Sequence, residues 1–119
     1  MGAFEVTVTV ANAASPQRSA QVALLVDTGA TLSWLPRDLL EGLGVENISR
    51  SRFILGDGSR LERDTGVALF TLDGKTMAVP VAFAEAGESA VLGATGLEIL
   101  GFAVDPVEKK LLPRDLLAL

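Results

Sequence analysis

The sequence predicts an all-β fold with two short helices, and two observations support that class. Residues 4–11 alternate apolar with polar side chains, which is the pattern of a strand with one buried face. Further along, Gly56-Asp57-Gly58-Ser59 and Asp73-Gly74 each separate two apolar runs, as the turns of β-hairpins do. Because 119 residues is the length of one domain, we expect residues 1–119 to form a single all-β domain.

The remaining elements follow from breaks in the apolar pattern. Helices are expected at 37–41 and 94–100, because Pro36 is allowed in a first helical turn and glycines follow both segments. The expected strands, in chain order, are 4–11, 20–26, 31–36, 53–55, 61–63, 67–72, 75–83, 102–105 and 109–112, with a further short apolar run at 90–93.

The amino-acid composition limits the possible chemistry. The chain has no histidine and no cysteine, which excludes Ser-His-Asp and Cys-His nucleophilic sites, the usual zinc sites and any disulfide. A hydrolase with this composition must use carboxylates, lysine or hydroxyl groups, and we expect no metal. The net charge of −5 argues against a nucleic-acid partner.

Two further expectations concern the surroundings of the protein. No apolar stretch reaches the roughly 18 residues that a membrane segment needs. A chain without cysteine is compatible with a reducing compartment. We therefore expect a cytoplasmic protein, either alone or as a soluble domain of a longer or membrane-anchored one.

Asp27-Thr28-Gly29-Ala30 is the motif with the clearest chemistry. It follows the apolar run 22–26 and precedes the apolar run 31–36, so a carboxylate lies in a loop between two strands. Gly29 lets the backbone turn tightly, and Thr28 is small and can form hydrogen bonds. Asp27 is therefore the candidate catalytic residue.

The run from Leu24 to Pro36 resembles the active-site loop of the pepsin-like and retropepsin-like aspartic proteases. Trp34 and Pro36 stand at the offsets that pepsins use after their Asp-Thr-Gly. Val91-Leu92-Gly93 before a helix is similar to the second hallmark of the family. The resemblance implies a closed barrel, equivalent to one pepsin-like lobe, that acts as a homodimeric aspartic endopeptidase on polypeptide substrates and needs no cofactor.

The resemblance also implies roles for individual residues. Asp27 and the partner's Asp27 would form a pair that shares one proton and activates a water molecule. In the same loop, Thr28 would brace the two chains, and Gly29 would bind the substrate backbone beside Ala30. Gly56-Asp57-Gly58 would be a mobile flap over the substrate, although an ordinary hairpin turn has the same composition.

A second copy of the tripeptide stands at Asp64-Thr65-Gly66, but its context differs. No buried strand leads into it, and it follows the polar residues Glu62 and Arg63. The spacing of 37 residues between Asp27 and Asp64 (64 − 27) is too short for a full lobe. We expect Asp64 to be a solvated strand residue without a catalytic role.

Two positions depart from the retroviral members of the family. Those enzymes commonly carry an Asp after the Asp-Thr-Gly-Ala and an Arg after the later glycine, which form an ion pair. Thr31 and Ala94 stand there instead. Because both partners are absent together, no charge is left unpaired, and the chain resembles a cellular or bacterial-type branch.

One alternative to proteolysis stays open. The chain could be a dimeric β-barrel that keeps the loop as architecture and serves as a binding or assembly module with little or no catalysis.

The last residues, Leu116-Leu117-Ala118-Leu119, are too apolar for a free end in water. By the resemblance we expect the terminal strands of two chains to pair, with residues 4–10 contributing. The alternative is that Leu116 and Leu117 cap the core of their own chain.

Overall fold

The structure is a computed structural model that describes residues 3–119. Its elements, in chain order, are β1 (Glu5–Ala11), β2 (Ser19–Val26), β3 (Ser33–Pro36), α1 (Arg37–Gly42), β4 (Ser49–Ile54), β5 (Arg60–Leu72), β6 (Lys75–Ala84), β7 (Val91–Leu92), α2 (Ala94–Leu100), β8 (Phe102–Asp105) and β9 (Lys110–Pro113). The predicted all-β class with two short helices is confirmed.

Six of these strands close into a barrel. Seven strands form one sheet in the order β1-β2-β7-β3-β6-β5-β4. In addition, residues 9–11 of β1 pair with residues 69–71 of β5, which joins the two ends of the row β1-β2-β7-β3-β6-β5. The predicted closed barrel is therefore confirmed, and β4 forms a hairpin with the first half of β5 outside the ring.

The barrel interior is filled mainly by aliphatic side chains. The largest fully buried side chains include Phe70 and Phe83, which lie on the adjacent strands β5 and β6. Each large apolar side chain removed from water stabilises the fold by about 1.5–3 kcal/mol. The core also contains Val8, Val10, Leu24, Leu35, Leu40, Val79, Val81, Leu92, Leu97 and Leu100.

Several strand boundaries differ from the predicted ones. The segments predicted at 61–63 and 67–72 are one continuous strand, because backbone pairing to β4 and then to β6 runs through the polar residues between them. The strand predicted at 31–36 begins only at Ser33. Pro36 lies just before α1 rather than in its first turn.

The two chain ends differ from expectation in different ways. Residues 9–11 of β1 already pair with strands on both sides. Residues 9 and 10 therefore cannot pair with a second chain, as the prediction for 4–10 requires. Leu116 is 55% exposed and Leu117 is 86% exposed, which contradicts the alternative in which these two side chains cap the core of their own chain. Within residues 3–119, no helix is long and apolar enough to span a membrane.

Candidate active site

Asp27 directly follows β2, where backbone hydrogen bonds hold both sides of its peptide. Its N–H donates to the carbonyl of Leu92 at 3.0 Å, and its own carbonyl accepts from the N–H of Ala30 at 3.2 Å. The N–H of Gly29 donates to Asp27 Oδ1 at 2.9 Å. Asp27, Thr28 and Gly29 are exposed while Ala30 is half-buried, so a rigid strand presents the carboxylate to solvent.

The short strand β7 pairs with the two strands that flank the Asp27 loop. It is parallel to β2 and antiparallel to β3. At the start of α2, the N–H of Ala94 donates to Ala30 O at 2.7 Å and that of Thr95 to Thr31 O at 3.0 Å. These backbone hydrogen bonds hold the start of α2 against the loop. They involve Thr31 and Ala94, the two positions that carry an ion pair in retroviral members of the family.

Gly93 allows the start of α2 to lie close to the Asp27 loop, because it has no side chain. A Cβ at Gly93 would lie 2.3 Å from the carbonyl oxygen of Leu32 and 2.8 Å from that of Ala30. Both distances are too short for any side chain, and both atoms are backbone, which cannot move aside without moving the loop. The glycine of the Val91-Leu92-Gly93 element is therefore required by the packing of α2 against the Asp27 loop.

Sequence reasoning missed Ser33 as a residue that supports the site. Its side chain is fully buried, and its Oγ accepts a hydrogen bond of 3.0 Å from the N–H of Gly93. A hydroxyl residue in the middle of the apolar run 31–36 was the available signal, because buried hydroxyl groups need a hydrogen-bond partner.

A cleft of about 760 Å³ lies beside Asp27 and beneath the hairpin of β4 and β5. Its lining residues are Asp27, Gly29, Ala30, Thr31, Trp34, Arg52, Phe53, Ile54, Leu55, Gly56, Leu61, Gly87, Glu88, Ser89 and Val91. The rings of Trp34 and Phe53 pack with centroids 4.8 Å apart and planes tilted by 59°. This contact joins the strand that leaves the Asp27 loop to the hairpin that covers the cleft.

The turn Gly56-Asp57-Gly58 lies at the end of this hairpin, and Gly56 lines the cleft. Gly58 has φ +87°, a conformation that favours glycine. Asp57 Oδ1 accepts from the Ser59 hydroxyl at 2.6 Å and from the Ser59 N–H at 2.9 Å. These hydrogen bonds lower the pKa of Asp57, so its carboxylate is used to shape the turn.

A second cavity, of about 710 Å³, opens on the other side of Asp27 and Thr28. It is lined mainly by apolar side chains from the first residues of the chain, α2 and β8, including Phe4, Leu97 and Phe102. Asp27 therefore lies at the boundary between the two cavities.

Comparison with known proteins agrees with this geometry. Residues 5–103 match the family described as aspartyl protease. The chain belongs to the aspartyl protease family. A search of curated proteins found no match. Among solved structures, the EIAV protease complexed with the inhibitor HBY-793 is similar, with a TM-score of 0.58, 18% identity and 93% of each chain covered. The aspartyl protease chain thus has a retropepsin-like fold.

The second Asp-Thr-Gly of this aspartyl protease chain has a different environment. Asp64 lies within β5, and its side chain is only 20% exposed. Its carboxylate accepts from Arg37 at 2.8 Å and from Arg50 at 3.1 Å, and these partners lower the pKa of Asp64, Arg37 more than Arg50. Asp64 is a strand residue as expected, but its partly exposed carboxylate is paired with two arginines.

Glu88, which also lines the cleft, is neutralised by an arginine that sequence reasoning did not single out. Arg63 donates from Nε to Glu88 Oε1 at 3.1 Å and from Nη2 to the other carboxylate oxygen. The hydrogen bonds from Arg63 lower the pKa of Glu88. The pair joins β5 to the loop before β7.

In the described part of the chain, no cluster of three or more metal-ligating side chains occurs.

Proposed function

We propose that the chain is a homodimeric aspartic endopeptidase that hydrolyses peptide bonds in polypeptide substrates with Asp27 from each of two chains. The observation that carries the proposal is the position of Asp27. It is an exposed carboxylate on a rigid loop, beside a cleft of peptide-binding size and at the edge of the second cavity. Residues 1–119 are proposed to form one such catalytic domain, and a cytoplasmic location is part of the proposal.

The second carboxylate has to come from a second chain. Asp64 is held by two arginines, and its neighbours Thr65 and Gly66 are buried within the sheet. These residues do not form a loop like that around Asp27, because Asp64 and Thr65 pair with β4 and Thr65 and Gly66 pair with β6. Asp27 and Thr28 are exposed, so a partner chain can bring its own Asp27 into contact with them.

In the proposed reaction, the two carboxylates share one proton because two like charges in contact cannot both ionise. The ionised carboxylate takes a proton from a water molecule, whose oxygen attacks the carbonyl carbon of the scissile bond. The protonated carboxylic acid donates its proton to the carbonyl oxygen. The C–N bond of the resulting gem-diol then breaks. The carboxylic acid formed in the first step gives its proton to the leaving amine, and the other carboxylate takes a proton from a gem-diol hydroxyl, which restores the singly protonated pair. Since one proton must remain on the pair, cleavage is expected to be fastest on the acidic side of neutrality.

The other predicted site residues have supporting roles in this proposal. Thr28, which is exposed, braces the loops of the two chains. Gly29 and Ala30 line the cleft and bind the substrate backbone. The turn Gly56-Asp57-Gly58 acts as the flap, because it ends the hairpin above the cleft and because Gly56 already borders the space that a peptide would fill.

The exposed apolar tail fits a dimer as well. Leu116, Leu117 and Leu119 leave apolar surface in water in a single chain, which costs free energy. Burial of this surface against a second chain offsets that cost.

Incubation of the purified protein with an unfolded polypeptide tests the proposal. We expect cleavage, and we expect a transition-state-mimicking statine peptide to block it at one inhibitor per two chains. Specific peptide binding without any turnover would contradict the proposal and favour a dimeric binding or assembly module. Inhibition at one statine peptide per chain would contradict the shared site.

A further inference from the structure

The hairpin that covers the cleft extends beyond the barrel as a two-stranded ribbon, formed by residues 49–54 and 60–64. In the described part of the chain, residues 60–64 of β5 pair with β4 alone, and pairing of β5 with β6 begins only at Thr65. A two-stranded ribbon is marginally stable unless it contacts the rest of the protein. The position of this ribbon over the cleft therefore depends on its side-chain contacts with the barrel.

The two faces of the ribbon differ in burial, because side chains alternate along each strand and cross-strand partners share a face. Phe53 stands opposite Leu61, and Ser51 stands opposite Arg63. All four side chains are half-buried. The ring of Phe53 packs against Trp34 in the barrel, so Arg63 lies on the face toward the cleft. The other face carries the exposed side chains of Arg50, Arg52, Arg60 and Glu62.

Arg63 connects this face of the ribbon with the loop at residues 85–90, which precedes β7. Its Nε donates to Glu88 Oε1 at 3.1 Å, and its Nη2 donates to the other carboxylate oxygen. Glu88 Oε1 also accepts a hydrogen bond of 2.8 Å from the N–H of Glu85, which fixes the carboxylate to its own loop. Because residues 87–89 line the cleft, the ion pair joins the ribbon directly to a wall of the cleft.

The geometry of this ion pair makes it stronger than an ordinary surface pair. The side chains of Arg63 and Glu88 are 21% and 26% exposed, so water screens their charges only in part. Two parallel hydrogen bonds between a guanidinium and a carboxylate also add strength and fix the relative orientation of the groups.

A second ion pair holds the base of the ribbon from its other face. Asp64, whose side chain alternates with that of Arg63, is paired with Arg37 at the start of α1. Among residues 3–119, these two are the ion pairs that join the ribbon to the rest of the chain. Loss of the pair on the cleft side therefore leaves the base of the ribbon attached.

We propose that Arg63 and Glu88 are positioning residues that hold the ribbon closed over the cleft and thereby set how fast a bound peptide is released. For a peptide to leave, the ribbon swings away from the loop at 85–90, and this movement separates the two side chains. The pair takes no part in proton transfer. This inference rests on the proposed function, because it assigns closure of the same cleft to two residues of this chain.

The first measurements use the protein without a ligand, so they do not depend on activity. Trp34 is the only tryptophan of the chain and contacts Phe53 of the ribbon, which makes its fluorescence a reporter of closure. We expect Glu88→Gln to increase acrylamide quenching of Trp34 and to speed amide exchange in the ribbon, while β6 exchanges as in the wild-type protein. Unchanged quenching and exchange would overturn the inference.

Glu62→Gln is the matched control. It removes a carboxylate from the same ribbon, but its ion pair with Arg50 joins only the two strands of the ribbon to each other. Arg63→Met, which keeps an unbranched apolar side chain, should loosen the ribbon as Glu88→Gln does. The double variant should loosen it no further, because both changes remove one interaction. Additive effects, or equal loosening by Glu62→Gln, would overturn the inference.

Release of a bound statine peptide is the functional measurement. We expect dissociation from Glu88→Gln to be about two- to ten-fold faster than from the wild-type protein, the range for a partly exposed bidentate ion pair. Glu62→Gln should release the peptide at the wild-type rate. Single-turnover cleavage at saturating peptide should be unchanged in Glu88→Gln, because the pair does not touch the reacting atoms. A wild-type rate of release from Glu88→Gln would overturn the inference.

These measurements separate the inference from the proposed function. Cleavage that depends on Asp27, together with wild-type ribbon mobility and peptide release in Glu88→Gln, would overturn the inference alone. A ribbon that Glu88→Gln loosens, with faster peptide release, in a protein that cleaves nothing would support the inference and overturn the proteolytic function. Melting temperatures of all variants confirm that each protein is folded.

Discussion

The buried hydroxyl of Ser33 accepts a hydrogen bond of 3.0 Å from the backbone N–H of Gly93. The two residues are 60 positions apart in the chain. Ser33 begins the strand that leaves the Asp27 loop, and Gly93 precedes the helix whose first N–H groups bind that loop. This hydrogen bond therefore links β3 to the start of α2, the two elements that hold the loop of the candidate catalytic Asp27.

Ser33→Ala should destabilise the protein by about 1–3 kcal/mol, because it leaves the N–H of Gly93 buried without a partner. Cleavage should fall as well, since the loop beside it loses a support. Urea unfolding and kcat/KM measure the two effects. Ser49→Ala, at an exposed strand position, is the control and should change neither. Equal stability of Ser33→Ala and the wild-type protein would show that the bond contributes little.

Gly93→Ala should reduce activity more than any other glycine substitution outside the Asp27 loop. The new Cβ would meet the Leu32 carbonyl oxygen at 2.3 Å, and overpacking of this kind costs about 1–3 kcal/mol or more. Gly42→Ala is the matched control. A Cβ at Gly42 meets nothing within 4 Å, and in α1 it should stabilise the protein by about 0.5–1 kcal/mol. A Gly93→Ala protein with normal activity would refute the packing argument.

Asp27→Asn should lower kcat by at least about 100-fold, the contribution of a positioned general base, while the protein still folds and dimerises. Asp64→Asn should keep most of the activity. It should lower the melting temperature slightly, because Arg37 and Arg50 each lose a charged partner. Peptide cleavage and circular dichroism on both purified variants test this difference. Equal losses of activity from the two substitutions would contradict the assignment of Asp27.

The ion pair between Arg63 and Glu88 should make stability depend on pH in the acid range. Because the pKa of Glu88 is lowered from 4.5 in the folded protein, the pair contributes fully above about pH 4.5. Its contribution is lost as the pH falls through the lower pKa of the folded state. The free energy of unfolding of Glu88→Gln should therefore change less between pH 5 and pH 3 than that of the wild-type protein. Parallel curves for the two proteins would contradict the prediction.

Removal of residues 115–119 should shift the protein toward monomer and lower its specific activity most at low concentration. The reason is that Leu117 and Leu119 are exposed in one chain, whereas the proposed site needs two chains. Sedimentation velocity and activity across a dilution series measure both effects. A variant that keeps residues 115–119 but has Ser in place of Leu117 and Leu119 should behave like the truncation, which separates apolar contact from tail length. A truncated protein that stays dimeric and active at nanomolar concentration would place the interface elsewhere.

The sequence alone predicted the class of fold and the candidate catalytic loop. The alternation in residues 4–11 and the turn at Asp73-Gly74 are local signals, because side-chain direction in a strand and the geometry of a tight turn depend on neighbouring residues. Asp27-Thr28-Gly29 was recognisable for the same reason. Its chemistry and its flanking strands are contiguous in the chain.

Only the tertiary structure decided which distant residues serve that loop. The closure of the barrel by β1 and β5, the bond from Gly93 to Ser33 and the ion pairs of Asp64 and Glu88 all join residues far apart in sequence. Such contacts leave no periodic pattern, since each depends on where the closed sheet brings two side chains together.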